Sequence, residues 1–341
     1  MSGRFNENTR VQVPAAIHLC RLAYTYLDHI DTADFDPSTN ILTKVFKEVV
    51  ARLNPGLSNA EIDLQLHGLV QSAKNDDLGR EFYQKITSSS GVRFFDFRNP
   101  ANNLWHCTTE FTCENPDTHD CFRPDITCFV NGLPLAFIEV KKPNNHEGML
   151  AERERINMRF RNKAFRAFLN VTQLMIFSNN QEYDTENVVP VQGAFYATTA
   201  KERTFFNVFR EKSPNILRES GYNDEIDDDV QKRILKHRNC IPIKEDPEYQ
   251  TNKSPQTPTN RIITSMLSRR RFLFILRYAF AYVEKTQELA DGTKVEKLEK
   301  HIMRYQQLFA TFALRQKLSE GVKGGVIWHT QGSGKTAFAF Y

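Results

Sequence analysis

Two carboxylates and a lysine in the middle of the sequence have the residue types and the spacing of a metal-dependent phosphodiesterase centre. Asp125 precedes one apolar segment, and Glu139 and Lys141 end the next, in RPDITCFVNGLPLAFIEVKKPN. Glu139 and Lys141 are two residues apart, so on a strand they share one face. Two carboxylates offer hard oxygen ligands to Mg²⁺, and a neighbouring lysine positions or deprotonates water and stabilises negative charge. We therefore predict Asp125, Glu139 and Lys141 as catalytic residues and the two acids as metal ligands.

The connection between these two segments decides whether the carboxylates meet. The Asn-Gly pair at 131–132 predicts a hairpin turn. A regular two-residue loop would pair Asp125 with Ile138 and place it on the face opposite to Glu139. A three-residue loop, or one bulge, restores a common face, and the three-residue loop pairs Asp125 with Phe137. The alternative is ordinary strand-end charge, which has the same local pattern.

A second group of residues, near the end of the sequence, has the pattern of a nucleotide-binding loop. In GGVIWHTQGSGKT an apolar segment runs into a glycine-rich turn followed by Gly-Lys-Thr. The N–H groups of such a turn hold phosphates, while its lysine bridges the β- and γ-phosphates and its threonine ligates Mg²⁺. His329 stands where the full pattern has glycine. The predicted ATP-binding residues of the loop are Gly332, Ser333, Gly334, Lys335 and Thr336, with Thr336 also a metal ligand.

Gln307, upstream of this loop, is a further candidate for ATP binding. Its amide has the donor and acceptor needed to bind an adenine edge. The alternative for RYQQ at 304–307 is a set of exposed polar residues on a helix.

Helices and strands alternate along the sequence, which predicts an α/β fold for the part that carries the carboxylates. Residues 11–88 have helical periodicity, and Ser58 and Glu61 have the spacing of a capping box. Further helices are predicted at 148–168, 261–283 and 297–319. Strands are predicted at 91–97, 103–113, 125–130, 135–141, 172–180 and 193–199, and again just before the glycine-rich loop.

Length and composition favour a globular chain of about two domains. The sequence has 341 residues, 40% of them hydrophobic, which excludes a disordered or fibrous chain. The net charge of +4 is compatible with a nucleic-acid partner. No apolar run has the length of a membrane helix or the character of a signal peptide, so we expect a soluble, cytoplasmic protein. The six cysteines include no C-x-x-C pair, which favours reduced thiols over zinc.

A stretch rich in Pro, Ser, Thr and Asn at 245–260 is the candidate connection between domains. We predict one domain at 1–250, which carries the acidic residues, and at 251–341 a linker with the beginning of a second domain, which carries the glycine-rich loop. The alternative is a long surface loop within one domain. The sequence stops soon after the glycine-rich loop, so a complete ATP-hydrolysing core is not expected.

Together, and in this order, the two motifs resemble the restriction (R) subunit of type I restriction–modification enzymes. RPDITCFVNGLPLAFIEVKKPN is similar to its PD-(D/E)xK nuclease motif, and RYQQ with GVIWHTQGSGKT is similar to its motor entry. The resemblance implies a mixed sheet flanked by helices, then the start of a RecA-like P-loop motor of superfamily 2. It implies Mg²⁺-dependent cleavage of double-stranded DNA coupled to ATP-driven translocation. It also implies methyltransferase and specificity subunits as partners.

In one feature the sequence departs from this family. The family has Gln-x-x-x-Tyr on the helix after the Glu-x-Lys strand, but helix 148–168 contains no glutamine. Gln192 and Tyr196 have the spacing but lie on a predicted strand. Basic residues of the helix region either replace the missing DNA contact by binding phosphates or form a solvated face. They are Arg159, Arg161, Lys163 and Arg166, beside Arg153, Arg155, Asn157 and Phe160.

Three functions remain open on the sequence. The first is an ATP-dependent restriction endonuclease subunit, and the second is another helicase–nuclease fusion that acts in DNA repair. The third is a non-catalytic DNA-binding assembly module, which the missing glutamine favours and the intact acidic pair opposes. An additional carboxylate for the metal is expected from the N-terminal helices, with Glu61 or Glu81 as candidates.

Overall fold

A mixed sheet forms the centre of the computed structural model, which describes residues 6–114, 118–143, 145, 148–183, 191–201, 203–288, 293–328 and 334. The strands are β1 (Thr25–Tyr26), β2 (Trp105–Thr109), β3 (Cys113–Glu114), β4 (Cys121–Phe122), β5 (Ile126–Val130), β6 (Leu133–Val140), β7 (Leu174–Ser178), β8 (Ala194–Ala197), β9 (Asn207–Val208), β10 (Phe280–Glu288) and β11 (Lys294–Ile302). Within the described residues, seven of them form the central sheet in the order β1-β2-β5-β6-β7-β8-β9. The β1–β2 and β6–β7 pairs are parallel and the others antiparallel.

Helices cover both faces of this sheet. They are α1 (Val13–Arg21), α2 (Thr43–Leu53), α3 (Asn59–Ala73), α4 (Arg80–Thr87), α5 (Gly148–Arg161), α6 (Arg166–Val171), α7 (Ile216–Ser220), α8 (Asp228–His237), α9 (Pro247–Asn252), α10 (Pro258–Leu267), α11 (Arg269–Tyr278) and α12 (Tyr305–Ser319). A π-helical turn, Asn8–Gln12, precedes α1. The α/β fold with a mixed sheet between helices is confirmed, and so is the helical character of residues 11–88.

The three central strands are buried along their whole length. Every residue of β5, β6 and β7 is buried. Ala136, Ile138 and Val140 face the core that includes α1 and α10, as the alternation predicted. Phe137 faces a second core, made largely of phenylalanines, that α5 and α6 close. Strands that are covered on both faces have continuous apolar sequences. An acidic residue such as Glu139 is therefore unusual in β6.

The capping box at the start of α3 is also confirmed. The Ser58 side chain accepts the Glu61 N–H, and the Glu61 carboxylate accepts the Ser58 N–H at 2.8 Å. These reciprocal bonds satisfy two donors that a helix start leaves without intrahelical partners.

The predicted strand at 91–97 is wrong. No strand is assigned there, although Phe94 and Phe95 are buried. Side chains bind its backbone instead of a neighbouring strand: Asn54 Oδ1 accepts the Arg93 N–H, and Asn131 Nδ2 donates to the Phe94 carbonyl, each at 2.8 Å. An apolar loop can therefore have the composition of a strand when polar side chains satisfy its backbone.

The helices predicted at 261–283 and 297–319 are each wrong at one end. The first ends at Tyr278, and the second begins only at Tyr305. Between them β10 and β11 pair over nine positions as an antiparallel ribbon. The base of the ribbon packs Phe280 and Tyr282 against Tyr83 of α4. Aromatic packing and cross-strand pairing override the helix-like charge pattern of this stretch.

The division at residue 250 stays a prediction. Ile262 of α10 and Phe272 of α11 share one hydrophobic core with Ile138 of β6. The six cysteines are free thiols. Among the described residues, none of the helices has the length and apolar character needed to span a membrane.

Candidate active site

The hairpin between β5 and β6 contains one bulge, as predicted. Asn131 and Gly132, with φ of 53° and 81°, form a two-residue turn that pairs Val130 with Leu133. The register then shifts by one residue, because two residues of β6, Pro134 and Leu135, oppose a single residue of β5. Proline has no N–H for the ladder, and a bulge is one of the few sites in a sheet that tolerate it.

The bulge places Asp125 and Glu139 on the same face. Ile126 pairs with Ile138, so Asp125, one residue earlier, lies opposite Glu139. The predicted pairing of Asp125 with Phe137 is wrong, since Phe137 lies opposite Thr127. The extra residue is in β6 and not in the turn, and this shifts the register in the other direction. The carboxyl groups of Asp125 and Glu139 lie close enough for each to affect the pKa of the other.

Backbone contacts hold Asp125 in place. Its Oδ2 accepts the Val140 N–H at 2.7 Å. Its own carbonyl accepts the Glu110 N–H at 3.0 Å and Gln12 Nε2 at 2.8 Å. Gln12 belongs to the π-helical turn before α1, and such turns are frequent at functional sites.

Two further carboxylates, Glu152 of α5 and Glu7 at the start of the π-helical turn, approach Lys141. The Lys141 Nζ lies 3.3 Å from Glu152 Oε2 and 3.7 Å from Glu7 Oε1. Neither of the two acids proposed from the sequence takes this place: Glu61 caps α3, and Glu81 forms an ion pair with Lys85 at 2.8 Å.

These two acids were missed for different reasons. Glu152, Arg155 and Arg159 recur at helical spacing on one face of α5, which is a signal that the sequence contained. Glu7 is brought to the site by a π-helical turn, which no local pattern in the sequence predicts.

The basic residues proposed for phosphate binding separate in the structure. Arg159 enters the site: its Nη1 lies 3.5 Å from Glu139 Oε1 and 3.6 Å from Glu152 Oε1. Its guanidinium carbon lies 3.9 Å from the centroid of the Phe122 ring. Arg166 instead forms an ion pair with Asp76 at 3.5 Å.

Burial controls the protonation of the acidic pair. Glu139 is only 4% exposed. Burial, reinforced by the nearby Asp125 and Glu152 carboxylates, raises the pKa of Glu139 well above its usual value. Burial also raises the pKa of Asp125, against the opposing effect of Lys141.

Lys141 retains its positive charge in this setting. Burial by itself lowers the pKa of an ammonium group. Four carboxylates outweigh that effect, so the Lys141 pKa is raised: Asp125, Glu152, Glu7 and Glu139.

The donor set fits a divalent cation such as Mg²⁺. Asp125 and Glu139 present hard oxygens next to one another, which is the ligand type that Mg²⁺ prefers. Glu152 Oε1 is buried and has no hydrogen-bond partner among the described residues. Within the described part of the chain, no cluster of three or more His, Cys, Asp or Glu side chains is arranged around one metal position. A pair of carboxylates is enough for such a site, because Mg²⁺ commonly binds through one or two carboxylates and keeps several waters.

Gln307 contacts the glycine-rich loop. This residue is 4% exposed; its Oε1 accepts the Arg304 N–H at 2.7 Å and its Nε2 donates to the Gly334 carbonyl at 3.0 Å. The remaining predicted loop residues lie outside the described residues: Gly332, Ser333, Lys335 and Thr336. The predicted strand before the loop is not formed in the described residues 322–328, where Val326 and Trp328 are each 90% exposed. A strand requires a hydrogen-bonded neighbour, and none of the described segments pairs with this one.

Comparison with known proteins finds a matching family over the part of the chain that contains this site. The sequence model of the family described as "Type I restriction enzyme R protein N terminus" matches residues 4–185. That range is more than half of the chain and contains the acidic pair and Lys141.

The chain belongs to this R-protein family.

The R-protein chain also matches individual relatives over most of its length. It is 26% identical over 270 residues to a protein of Methanocaldococcus jannaschii provisionally named type I restriction enzyme MjaVIIP endonuclease subunit, covering 77% of this chain and 20% of the relative. It is 24% identical over 319 residues to the type I restriction enzyme SsaAORF53P endonuclease subunit of Staphylococcus saprophyticus, covering 92% of this chain and 25% of the relative. The chain thus spans a quarter or less of the length of these relatives.

A second family model, SWI2/SNF2 ATPase, matches residues 306–341 of the R-protein chain. This match begins one residue before Gln307 and includes the whole glycine-rich loop. It fits the start of a helicase-type motor after the mixed sheet.

The R-protein chain has no Gln-x-x-x-Tyr on α5. The side chains that α5 directs to the acidic pair are Glu152 and Arg159. Tyr196 lies in β8, as its predicted strand position required, and its hydroxyl donates to the Met303 carbonyl at 2.7 Å. Tyr196 is 1% exposed, so it is part of the core.

Proposed function

We propose that this chain is the N-terminal part of the R subunit of an ATP-dependent type I restriction endonuclease, with a nuclease centre at Asp125, Glu139 and Lys141. The observation that supports it is the acidic pair, of which Glu139 is buried and Asp125 half-buried, beside the half-buried Lys141. Burying adjacent carboxylates is unfavourable, and strongly perturbed carboxylates in one cluster are typical of functional sites.

The proposed roles follow from the contacts. Asp125 and Glu139 would hold Mg²⁺, which when bound activates water and neutralises charge on a phosphodiester. The Val140 N–H fixes the Asp125 carboxylate, and Gln12 fixes its backbone. Lys141 keeps its charge because carboxylates surround it, so its ammonium group stabilises negative charge that develops on the phosphate.

ATP binding is proposed for the glycine-rich loop. The loop at 332–336 would bind its phosphates, with Lys335 on the β- and γ-phosphates and Thr336 on Mg²⁺. Gln307 supports the loop through the Gly334 carbonyl. ATP-driven translocation of double-stranded DNA would bring distant DNA to the nuclease centre, and methyltransferase and specificity subunits would recognise the site.

Plasmid cleavage tests the nuclease assignment. We would compare the intact wild-type subunit with Asp125→Asn and Asp125→Ala, in the presence of partner subunits, ATP and Mg²⁺. Both variants should hydrolyse ATP at the wild-type rate but cleave at least about 10²-fold more slowly. Asp63→Ala, which changes an exposed aspartate of α3, is the control and should cleave normally.

Two results would change the proposal. If Asp125→Asn cleaves as fast as the wild type, the nuclease centre is elsewhere and only the nucleotide-binding segment stands. If cleavage needs no specificity subunit, a helicase–nuclease fusion for DNA repair becomes the better assignment.

A further inference from the structure

Arg159 is held rigidly at the edge of the acidic site. Its guanidinium group lies 3.9 Å from the centroid of the Phe122 ring, a distance at which a cation and an aromatic ring attract each other. Its side chain is 19% exposed, whereas that of Glu139 is 5% exposed. Arg159 therefore lies between the buried acids and the solvent. Its contact with the Phe122 ring orients the guanidinium before any ligand binds.

Within the described part of the chain, the ion pairs of Arg159 use only one of its guanidinium nitrogens. A forked arginine–carboxylate pair has two N–H···O contacts of about 2.8 Å. Arg159 instead reaches Glu139 at 3.5 Å and Glu152 at 3.6 Å, both through Nη1. Among the described residues, the first of these contacts is the one hydrogen bond that the Arg159 side chain makes. The planar guanidinium of Arg159 has five N–H donors, so with these long contacts it can bind a second anion.

Two of the neighbouring arginines are directed elsewhere. Arg166 lies 3.5 Å from Asp76, and Arg153 lies 3.8 Å from Glu154. Arg155 contacts Glu152 at 3.0 Å but is half exposed. Of these residues, Arg159 is the one that contacts the Glu139 carboxylate.

A phosphodiester that approaches this site meets several carboxylates, so it needs cations at its negatively charged oxygens. Lys141 supplies one from the strand side. We propose that Arg159 supplies the other from α5, by binding a non-bridging oxygen of the DNA phosphate at the acidic pair, and that Glu152 and Phe122 hold it there. This inference rests on the proposed nuclease function and adds to it a residue that binds the substrate.

The test compares Arg159→Ala and Arg159→Lys in the intact subunit with partner subunits, ATP and Mg²⁺. Arg166→Ala is the matched control, since it removes an arginine of the adjacent helix that pairs with Asp76. We expect Arg159→Ala to cleave about 10²-fold more slowly, as for loss of one charge-stabilising donor. Arg159→Lys should recover part of the rate, because the charge remains without the planar fork. Arg166→Ala should stay within about twofold of the wild type.

A second readout separates phosphate binding from structural support. Mn²⁺ binding to nucleotide-free and DNA-free subunit, measured by calorimetry, should be unchanged or tighter in Arg159→Ala, because a competing cation leaves Glu139. Parallel loss of Mn²⁺ affinity and cleavage would instead show that Arg159 only supports the carboxylates. Wild-type cleavage, or faster cleavage at low Mg²⁺, would also overturn the inference.

Two further variants keep the outcome clear. If Arg159→Ala does not fold, Arg159→Gln retains a planar amide over Phe122 and should show the same loss of cleavage. Asp125→Asn distinguishes the two proposals. If Asp125→Asn is inactive but Arg159→Ala is fully active, this inference fails and the nuclease assignment remains. If Asp125→Asn is active, the nuclease assignment itself fails.

Discussion

Glu139 is an ionisable residue that the fold itself does not need. It is buried in β6, between the Phe137 side of the sheet and α5, and two other carboxylates lie close to it. Residues around it on the strand are apolar, so an amide of the same shape would fill the position at lower electrostatic cost. A residue that lowers stability in this way is expected where function requires it.

The first prediction is therefore that Glu139→Gln abolishes cleavage but stabilises the metal-free chain. A shift of one pKa unit corresponds to about 1.4 kcal/mol, and burial raises the pKa of Glu139 well above its usual value. We expect the free energy of unfolding at pH 8 to rise by at least about 1 kcal/mol in EDTA, measured by urea unfolding. Glu154→Gln is the control, because this glutamate of α5 is exposed, and it should change stability by less than about 0.5 kcal/mol. A destabilised Glu139→Gln variant would show that the Arg159 contact outweighs the repulsion.

The same residue makes stability depend on pH. Because the pKa of Glu139 is higher in the folded state, the folded chain binds more protons than the unfolded chain above pH 4.5, the ordinary value. The free energy of unfolding should therefore fall as the pH rises from about 4.5 through the raised pKa. Urea unfolding of the metal-free chain between pH 5 and 9 measures this slope. Glu139→Gln should flatten it, and an identical slope in both proteins would mean that other groups cause it.

At the scale of elements, the β5–β6 hairpin determines whether the acidic pair forms. Its turn also anchors the N-terminal helices, since the Gly132 carbonyl accepts the Leu42 N–H at 2.8 Å. A Cβ at Gly132 would lie 2.5 Å from the Leu42 carbonyl oxygen. Gly132 is thus required for its left-handed φ of 81° and also for the close approach of α2.

Alanine substitutions at two glycines with nearly the same φ separate the cost of the left-handed backbone from the cost of the close contact. Gly132 has φ of 81° with a blocked Cβ position, and Gly91 has φ of 82° with nothing within 4 Å. Gly91→Ala should cost about 1 kcal/mol, the penalty for a left-handed residue with a side chain. Gly132→Ala should cost more than about 3 kcal/mol, because a clash and a weakened hydrogen bond add to that penalty. Urea unfolding measures both, and equal losses would mean that the contact with Leu42 relaxes without cost.

The elements also show how far the sequence determines the site. The Asn-Gly turn, the capping box and the need for a bulge depend on neighbouring residues, so they could be predicted. The location of the bulge could not, because a third residue in the turn and an extra residue in β6 both bring Asp125 to the Glu139 face. The approach of Glu7 and Arg159 depends on a π-helical turn and on how α5 packs over the sheet. The β10–β11 ribbon likewise depends on contacts with α4 that are distant in sequence.

At the scale of the whole molecule, the proposed nuclease centre and the proposed nucleotide-binding loop lie at separate places in the sequence, and Gln307 contacts Gly334 of the loop. Gln307→Ala removes the hydrogen bond to the Gly334 carbonyl, so in the intact subunit we expect the KM for ATP to rise about tenfold, as for loss of one buried hydrogen bond. Gln316→Ala, which changes an exposed glutamine on the same helix α12, is the control and should leave the KM unchanged.

If translocation delivers DNA to the acidic pair, cleavage by Gln307→Ala should fall in step with ATP turnover at low ATP and recover at saturating ATP. Asp125→Asn should lose cleavage at every ATP concentration while its ATP turnover stays normal. Cleavage by Gln307→Ala that stays at the wild-type rate while ATP turnover falls would contradict this coupling, and the acidic pair would then act on DNA that reaches it by diffusion.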